Sequence, residues 1–341
     1  MRNGTLILAL LLSPAIWAQR PVVEHLNVEV RGDYSRTDVD GHKQHDECGF
    51  QGKYLNVCLD GNLTDKFSYH YQQRLNKASL DAGFFSATDF LFLNYQPAQK
   101  WTISAGKQVV DIGGYEYDYA PIDLYFCSEF WNNIPCYQWG ISAAYQLTSR
   151  DKLRTQVCQS PFRNNFTTAG VHTVDTYGYN LIWYGKHGPW STKWSANMME
   201  LQEGNYISYL SLGNELRLCK QVSVELDYMN RAAAHQTYFL RDCSVMGQLN
   251  YRPSDHLRLF AKATYDVNKT DNGEDLTVMS GTELTRIGGG VEYFPLANHD
   301  LRLHANYCYT TGTNGNAAGM LHDRQSIANV GLTWRLNIIH P

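Results

Sequence analysis

The sequence predicts an all-β fold: a transmembrane antiparallel β-barrel of about sixteen strands with an inward-folded third loop. Three observations carry that expectation. Apolar and polar residues alternate with period two along most of the chain, and helical spacing is rare. Short turns alternate with longer loops. Tyr, Trp and Phe gather beside the short turns.

The N-terminus reads as an export signal. Arg2 gives a positive start, Thr5–Leu12 is apolar, and Pro14 breaks the run before Trp17-Ala18 and polar Gln19-Arg20. Residues 1–18 are therefore expected to be a cleaved signal peptide, and residues 19–341 one outer-membrane barrel domain. The apolar run is too short to span a bilayer, and no later run is long enough. An exported chain of mean hydropathy −0.40 with no spanning helix is either soluble or crosses as a barrel. A formal charge of −4 gives no reason to expect nucleic acid as a partner.

Strands are expected near 24–36, 51–60, 67–76, 88–95, 100–108, 137–148, 152–160 and 174–185. The remaining ones fall near 190–201, 206–218, 222–230, 241–252, 256–267, 283–294, 300–311 and 326–339. Along 301–309 the odd positions Leu301, Leu303, Ala305, Tyr307 and Tyr309 oppose Arg302, His304, Asn306 and Cys308. The last segment sets Val330, Leu332, Trp334 and Leu336 against Asn329, Thr333, Arg335 and Asn337. One face throughout suits lipid and the other suits water. Turns 61–66, 96–99, 149–151, 185–189, 219–221, 253–255 and 295–299 are short and rich in turn formers. Loops 37–50, 77–87, 109–136, 161–173, 231–240, 268–282 and 312–325 are longer, with a shorter one near 202–205. Phe67, Tyr95, Trp101, Trp183, Trp190, Tyr251 and Tyr293 border the short turns, as an interfacial girdle requires.

The third loop stands apart. Residues 109–136 lose the alternation, carry Asp111, Glu116, Asp118, Asp123 and Glu129, and hold no Lys or Arg. Tyr115, Tyr117 and Tyr119 make the loop too aromatic for a solvated tail. It is the candidate pore constriction. The candidate lumen wall is Arg74, Arg154, Arg258, Lys262, Arg302, Arg335, Glu225 and Asp227, all on polar-face parity. Carboxylate rings favour cations and Arg or Lys rings favour anions, so the loop points away from anion selectivity. Cys127 and Cys136 bracket eight residues of the loop, and a disulfide between them or two free thiols are both open.

Other chemistry is not called for. His42, His45, Asp46, Glu47 and Cys48 read as a solvated loop rather than a metal site. No G-x-S-x-G elbow or H-E-x-x-H helix is present, so neither an enzyme nor a cofactor is expected. Gly288-Gly289-Gly290 reads as close packing in the wall.

The export signal, the strand count, the third-loop insertion and the block Asp81-Ala82, Phe90-Leu91-Phe92-Leu93-Asn94-Tyr95 and Ala105-Gly106-Lys107-Gln108 resemble the phosphate-selective porin O/P type, in the version common in Bacteroidetes. The resemblance implies a passive channel in the bacterial outer membrane, a homotrimer, and a third loop that narrows the pore. Its expected partners are outer-membrane lipid and small hydrophilic solutes or ions. The other reading is a non-channel barrel acting as a surface binding or adhesion protein.

Overall fold

The computed structural model describes residues 22–77, 83–163, 175–233, 240–270 and 273–339. The expected signal peptide lies outside the described residues. The first strands are β1 (His25–Val39), β2 (His42–Lys43), β3 (Gly49–Asn62), β4 (Phe67–Arg74), β5 (Thr88–Ala98) and β6 (Trp101–Val109). Then come β7 (Tyr137–Gln146), β8 (Asp151–Gln159), β9 (Tyr177–His187), β10 (Trp190–Gln202), β11 (Asn205–Arg217) and β12 (Val222–Ala233). The last are β13 (Asp242–Ser254), β14 (Leu257–Asn268), β15 (Thr282–Tyr293), β16 (Leu301–Thr313) and β17 (Arg324–Ile339). The two-residue β2 is a stub on the end of β1 that the sequence did not announce. The other sixteen form the wall, each paired antiparallel with its neighbours.

The wall closes where β1 meets β17, from Leu26↔Ile339 to Val39↔Gln325. Closure removes the sheet edges, whose unpaired N–H and C=O groups are costly in lipid. The alternation that marked the strands is realised as two faces. In β9, Tyr177, Tyr179 and Leu181 are exposed while Asn180 and Ile182 are buried. In β16, Leu303, Tyr307 and Tyr309 face outward, and Arg302, His304 and Asn306 face inward. Large apolar groups outside and charges inside invert a soluble protein and match a bilayer span.

The aromatics beside the short turns pack on one another. Phe67 stacks on Tyr95 with centroids 4.6 Å apart, Trp101 meets Tyr145 at 4.7 Å, and Trp183 meets Trp194 edge-on at 5.2 Å. Trp101, Trp190, Tyr251 and Tyr293 remain exposed, at the level where amphipathic rings anchor a barrel. The triple glycine is close-packed: a Cβ on Gly290 would sit 2.7 Å from the Ala305 carbonyl oxygen and 2.8 Å from Phe260 Cε1. Absence of a side chain there lets the Phe260 ring turn into the lumen.

The buried apolar cluster lies inside the wall, not between layers. Val110, Ile112, Tyr117, Phe130 and Ile134 of the third loop pack on Cys158, Met199, Ile207, Tyr209 and Met229 of β8, β10, β11 and β12. That side of the barrel is filled, so any water path is displaced toward β1, β3 and β14–β17.

Candidate functional site: the third loop against the inner wall

Residues 109–136 are less irregular than their sequence suggests. They contain helical turns at Tyr115–Asp118 and Glu129–Asn133 and a 3-10 turn at Pro121–Asp123. Wall carboxylates satisfy the first N–H groups of the two helical turns. Asp227 Oδ1 accepts from Tyr115 N at 2.9 Å, and its Oδ2 accepts from Glu116 N at 2.8 Å. Asp266 Oδ2 accepts from Glu129 N at 2.9 Å. Helix starts leave such donors free, and a carboxylate there is favoured by charge as well as geometry. Ser128 adds a local cap, its Oγ accepting from Trp131 N at 3.2 Å. Further seats come from Gln156, which accepts from Asp111 N at 2.9 Å, and from Ser195, which accepts from Gly113 N at 2.8 Å.

The loop's acids do not form an open ring, because four of the five meet a base of the wall. Asp111 faces Arg154 at 2.9 Å, and Glu116 meets Lys262 at 2.7 Å. Asp118 pairs with Lys193. Asp123 lies 2.8 Å from both Arg302 and Arg335. Glu129 instead accepts from Asn133 Nδ2 at 2.8 Å. Burial pushes the Asp111 carboxyl up to about 6 against the pull of Arg154. The loop's acids are therefore partners of wall bases rather than an open carboxylate ring.

The sequence-predicted residues divide into two groups. Arg258, Lys262, Arg302 and Arg335 come together with Asp123 around one cavity of about 240 Å³, which Tyr119, Tyr125, Phe126 and Phe260 also line. Asp227 belongs to the loop's support and not to a water-facing wall, since both its oxygens are taken by loop N–H groups. Glu225 accepts from Tyr119 Oη at 2.6 Å, so it too holds the loop. Arg74 lies apart, against Asp89 and above the Tyr137 ring at 5.6 Å.

Arg31, Asp33, Lys193, Arg286 and Glu292 were missed, although each holds inward parity on its strand. Arg31 donates to the Leu124 carbonyl at 2.6 Å and the Ile122 carbonyl at 3.1 Å. Glu292 accepts from Tyr125 Oη at 2.7 Å, and Arg286 donates to the Cys127 carbonyl. The Tyr125 ring is held between Arg31, 4.7 Å from its centroid, and Phe260, stacked at 5.5 Å. The disulfide admitted between Cys127 and Cys136 is not formed, and both thiols are free. The helical turn Glu129–Asn133 separates them, and Cys136 Sγ turns to the Ile134 carbonyl at 3.3 Å.

A second, larger cavity of about 570 Å³ lies on the other side of the loop, lined by Arg31, Asp33, Ser35, Tyr54, Trp131 and Asn329 among others. Leu124, Tyr125 and Phe126 line both cavities and therefore form the partition between them.

Lys262 tests how firmly the loop is seated. Its ammonium also donates to the Phe126 carbonyl at 2.9 Å. Lys262→Met strands the Glu116 carboxylate and is expected to weaken the seat by about 3–5 kcal/mol. Backbone hydrogen exchange over 115–130 should accelerate, and adding Glu116→Gln should restore much of the protection. Unchanged exchange in Lys262→Met would show that the pair does not anchor the loop.

A closed sixteen-strand wall, apolar outside and charged inside, with cavities on both sides of a seated loop, defines an outer-membrane barrel channel. The model of the phosphate-selective porin O and P family matches residues 25–336, and the chain belongs to that family. It is a porin of the bacterial outer membrane, a passive diffusion channel. The fold is similar to the anion-selective porin from Comamonas acidovorans, with a TM-score of 0.63 at 11% identity over 91% of this chain and 98% of that one. OmpT of Vibrio cholerae gives 0.61 at 12% over 91% and 97%, and an in-vitro folded OmpT in trimer form gives 0.58 at 12% over 91% and 98%. The channel DcaP of Acinetobacter baumannii gives 0.59 at 11% over 91% and 96%. No curated protein matches the chain by sequence.

Proposed function

We propose that small hydrophilic solutes and ions diffuse past the third loop at Leu124–Phe126, with size rather than charge as the main filter. The observation that carries this reading is the pair of cavities that share those three residues. Weak charge selectivity is supported by the pairing of Asp123 with Arg302 and Arg335 and of Glu116 with Lys262. The anion selectivity named for the Comamonas acidovorans porin is therefore not carried over. Asp111, Glu116, Asp118, Asp123 and Glu129, with Tyr115, Tyr117 and Tyr119, serve to place the constriction.

The protein is proposed to act as a homotrimer embedded in outer-membrane lipid, as the OmpT trimer form suggests by analogy of fold. Residues 1–18 are proposed to direct export and to be removed, leaving 19–341.

Planar-bilayer recording of the purified protein in a KCl gradient tests the channel reading. Conductance steps with a reversal potential near zero are expected, in multiples of three per insertion event for a trimer. Absence of steps would end the proposal, and a strongly selective potential of either sign would overturn its charge balance.

A further inference from the structure

The larger cavity carries more than a passage. Ser35 of β1, Asn329 of β17 and Asn306 of β16 are cross-strand neighbours on the inner wall. All three are buried, at 3%, 6% and 8% exposure. Ser35 Oγ, Asn329 Oδ1 and Asn306 Nδ2 each lack a hydrogen-bond partner. Gln325 Oε1, on the same strand as Asn329, lacks one as well. Ser35, Gln325 and Asn329 line the cavity. A row of unpaired buried hydroxyl and carboxamide atoms is costly unless something completes it.

The charges next to the row are already engaged, while Asp46, Glu47 and Lys53 line the cavity elsewhere. Arg31 binds Asp33 at 2.7 Å, and Asp33 also meets His304 at 3.0 Å. Arg286 gives its N–H groups to Thr310 Oγ1 at 3.0 Å and to the Cys127 carbonyl. What stays free in the row is neutral. Half-buried Tyr54 and Trp131 add ring faces to the same cavity.

We propose that this cavity is a binding subsite for a neutral saccharide. A sugar offers hydroxyls that both donate and accept at its edge, and C–H groups on its ring face. Those are the complements of a carboxamide row and of an electron-rich aromatic face. Binding is weak, about millimolar, because a channel solute must also leave. The inference rests on the cavity being part of the conducting path.

The test titrates maltose into the bilayer experiment and compares it with a polyethylene glycol of similar size. Maltose should lower the ion current at concentrations where the glycol does not. Asn329→Leu and Ser35→Ala should each raise the half-blocking maltose concentration about 3- to 10-fold, as loss of one hydrogen bond predicts, with block read as a fraction of each variant's own sugar-free current. Equal block by maltose and glycol, or block unaltered in both variants, would overturn the subsite while leaving the channel in place. Absence of conductance steps would remove the channel reading and this inference together.

Discussion

Deleting Tyr115–Phe130 raises single-channel conductance at least about twofold, because a wall of sixteen strands encloses an aqueous channel wherever no loop fills it. The excised piece includes Leu124, Tyr125 and Phe126, which part the two cavities. It also includes Tyr117 and Phe130 of the apolar cluster that fills the β8–β12 side. Its removal exposes Asp227, Asp266 and Lys262 to lumen water, where they are readily solvated. The wall itself should persist, since its ladders are made between strands and not through the loop. Conductance equal to wild type would place the loop outside the ion path. Loss of folded barrel in detergent would show instead that the loop belongs to the core.

Asp123→Asn shifts permeability toward anions. Asp123 is one carboxylate facing two guanidinium groups, Arg302 and Arg335, each at 2.8 Å. Burial opposes its charge, but the two arginines outweigh burial and hold its carboxyl below the usual carboxylate range. The substitution keeps the shape and removes one negative charge from the wall of the smaller cavity. A unit charge about 6 Å from an ion in water is worth about 0.7 kcal/mol, with opposite sign for chloride and potassium, so the chloride-to-potassium permeability ratio should change about tenfold. The shift should fade in about 1 M salt, where the screening length falls to about 3 Å. No change in reversal potential would mean that ions pass elsewhere. A shift toward potassium would contradict the charge assignment.

Much of the wall is legible in residue order alone. Parity alone separates the outward row Leu303, Tyr307 and Tyr309 from the inward row Arg302, His304 and Asn306. The expected strand near 300–311 is found as Leu301–Thr313, and the one near 326–339 as Arg324–Ile339. Parity could equally have found Arg31, Asp33 and Glu292, which lie inward on β1 and β15 but had no loop partner to draw attention to them. It could also have shown that Met199, Leu201, Ile207 and Tyr209 are apolar at inward positions. Such a face does not suit an open water-filled lumen, and these residues pack against the loop.

The loop's interior was not legible in the same way. Its acids looked like an ion-selecting ring because none has a base nearby in sequence. Their bases stand on distant strands: Lys262 binds Glu116, Lys193 binds Asp118, and Arg335 binds Asp123 across 212 positions. Nor does residue order reveal that Asp227 is a helix cap in trans or that Cys127 and Cys136 remain apart.

The sequence by itself determined a closed barrel with its third loop set apart. Strand periodicity and turn chemistry are local properties, and a spanning sheet in lipid must close. Only the tertiary structure decided how the charge of residues 109–136 is spent. Ion pairing depends on distances of a few ångströms between groups far apart in the chain. The loop that appears acidic in sequence is, in the folded barrel, the counter-charge of a basic wall.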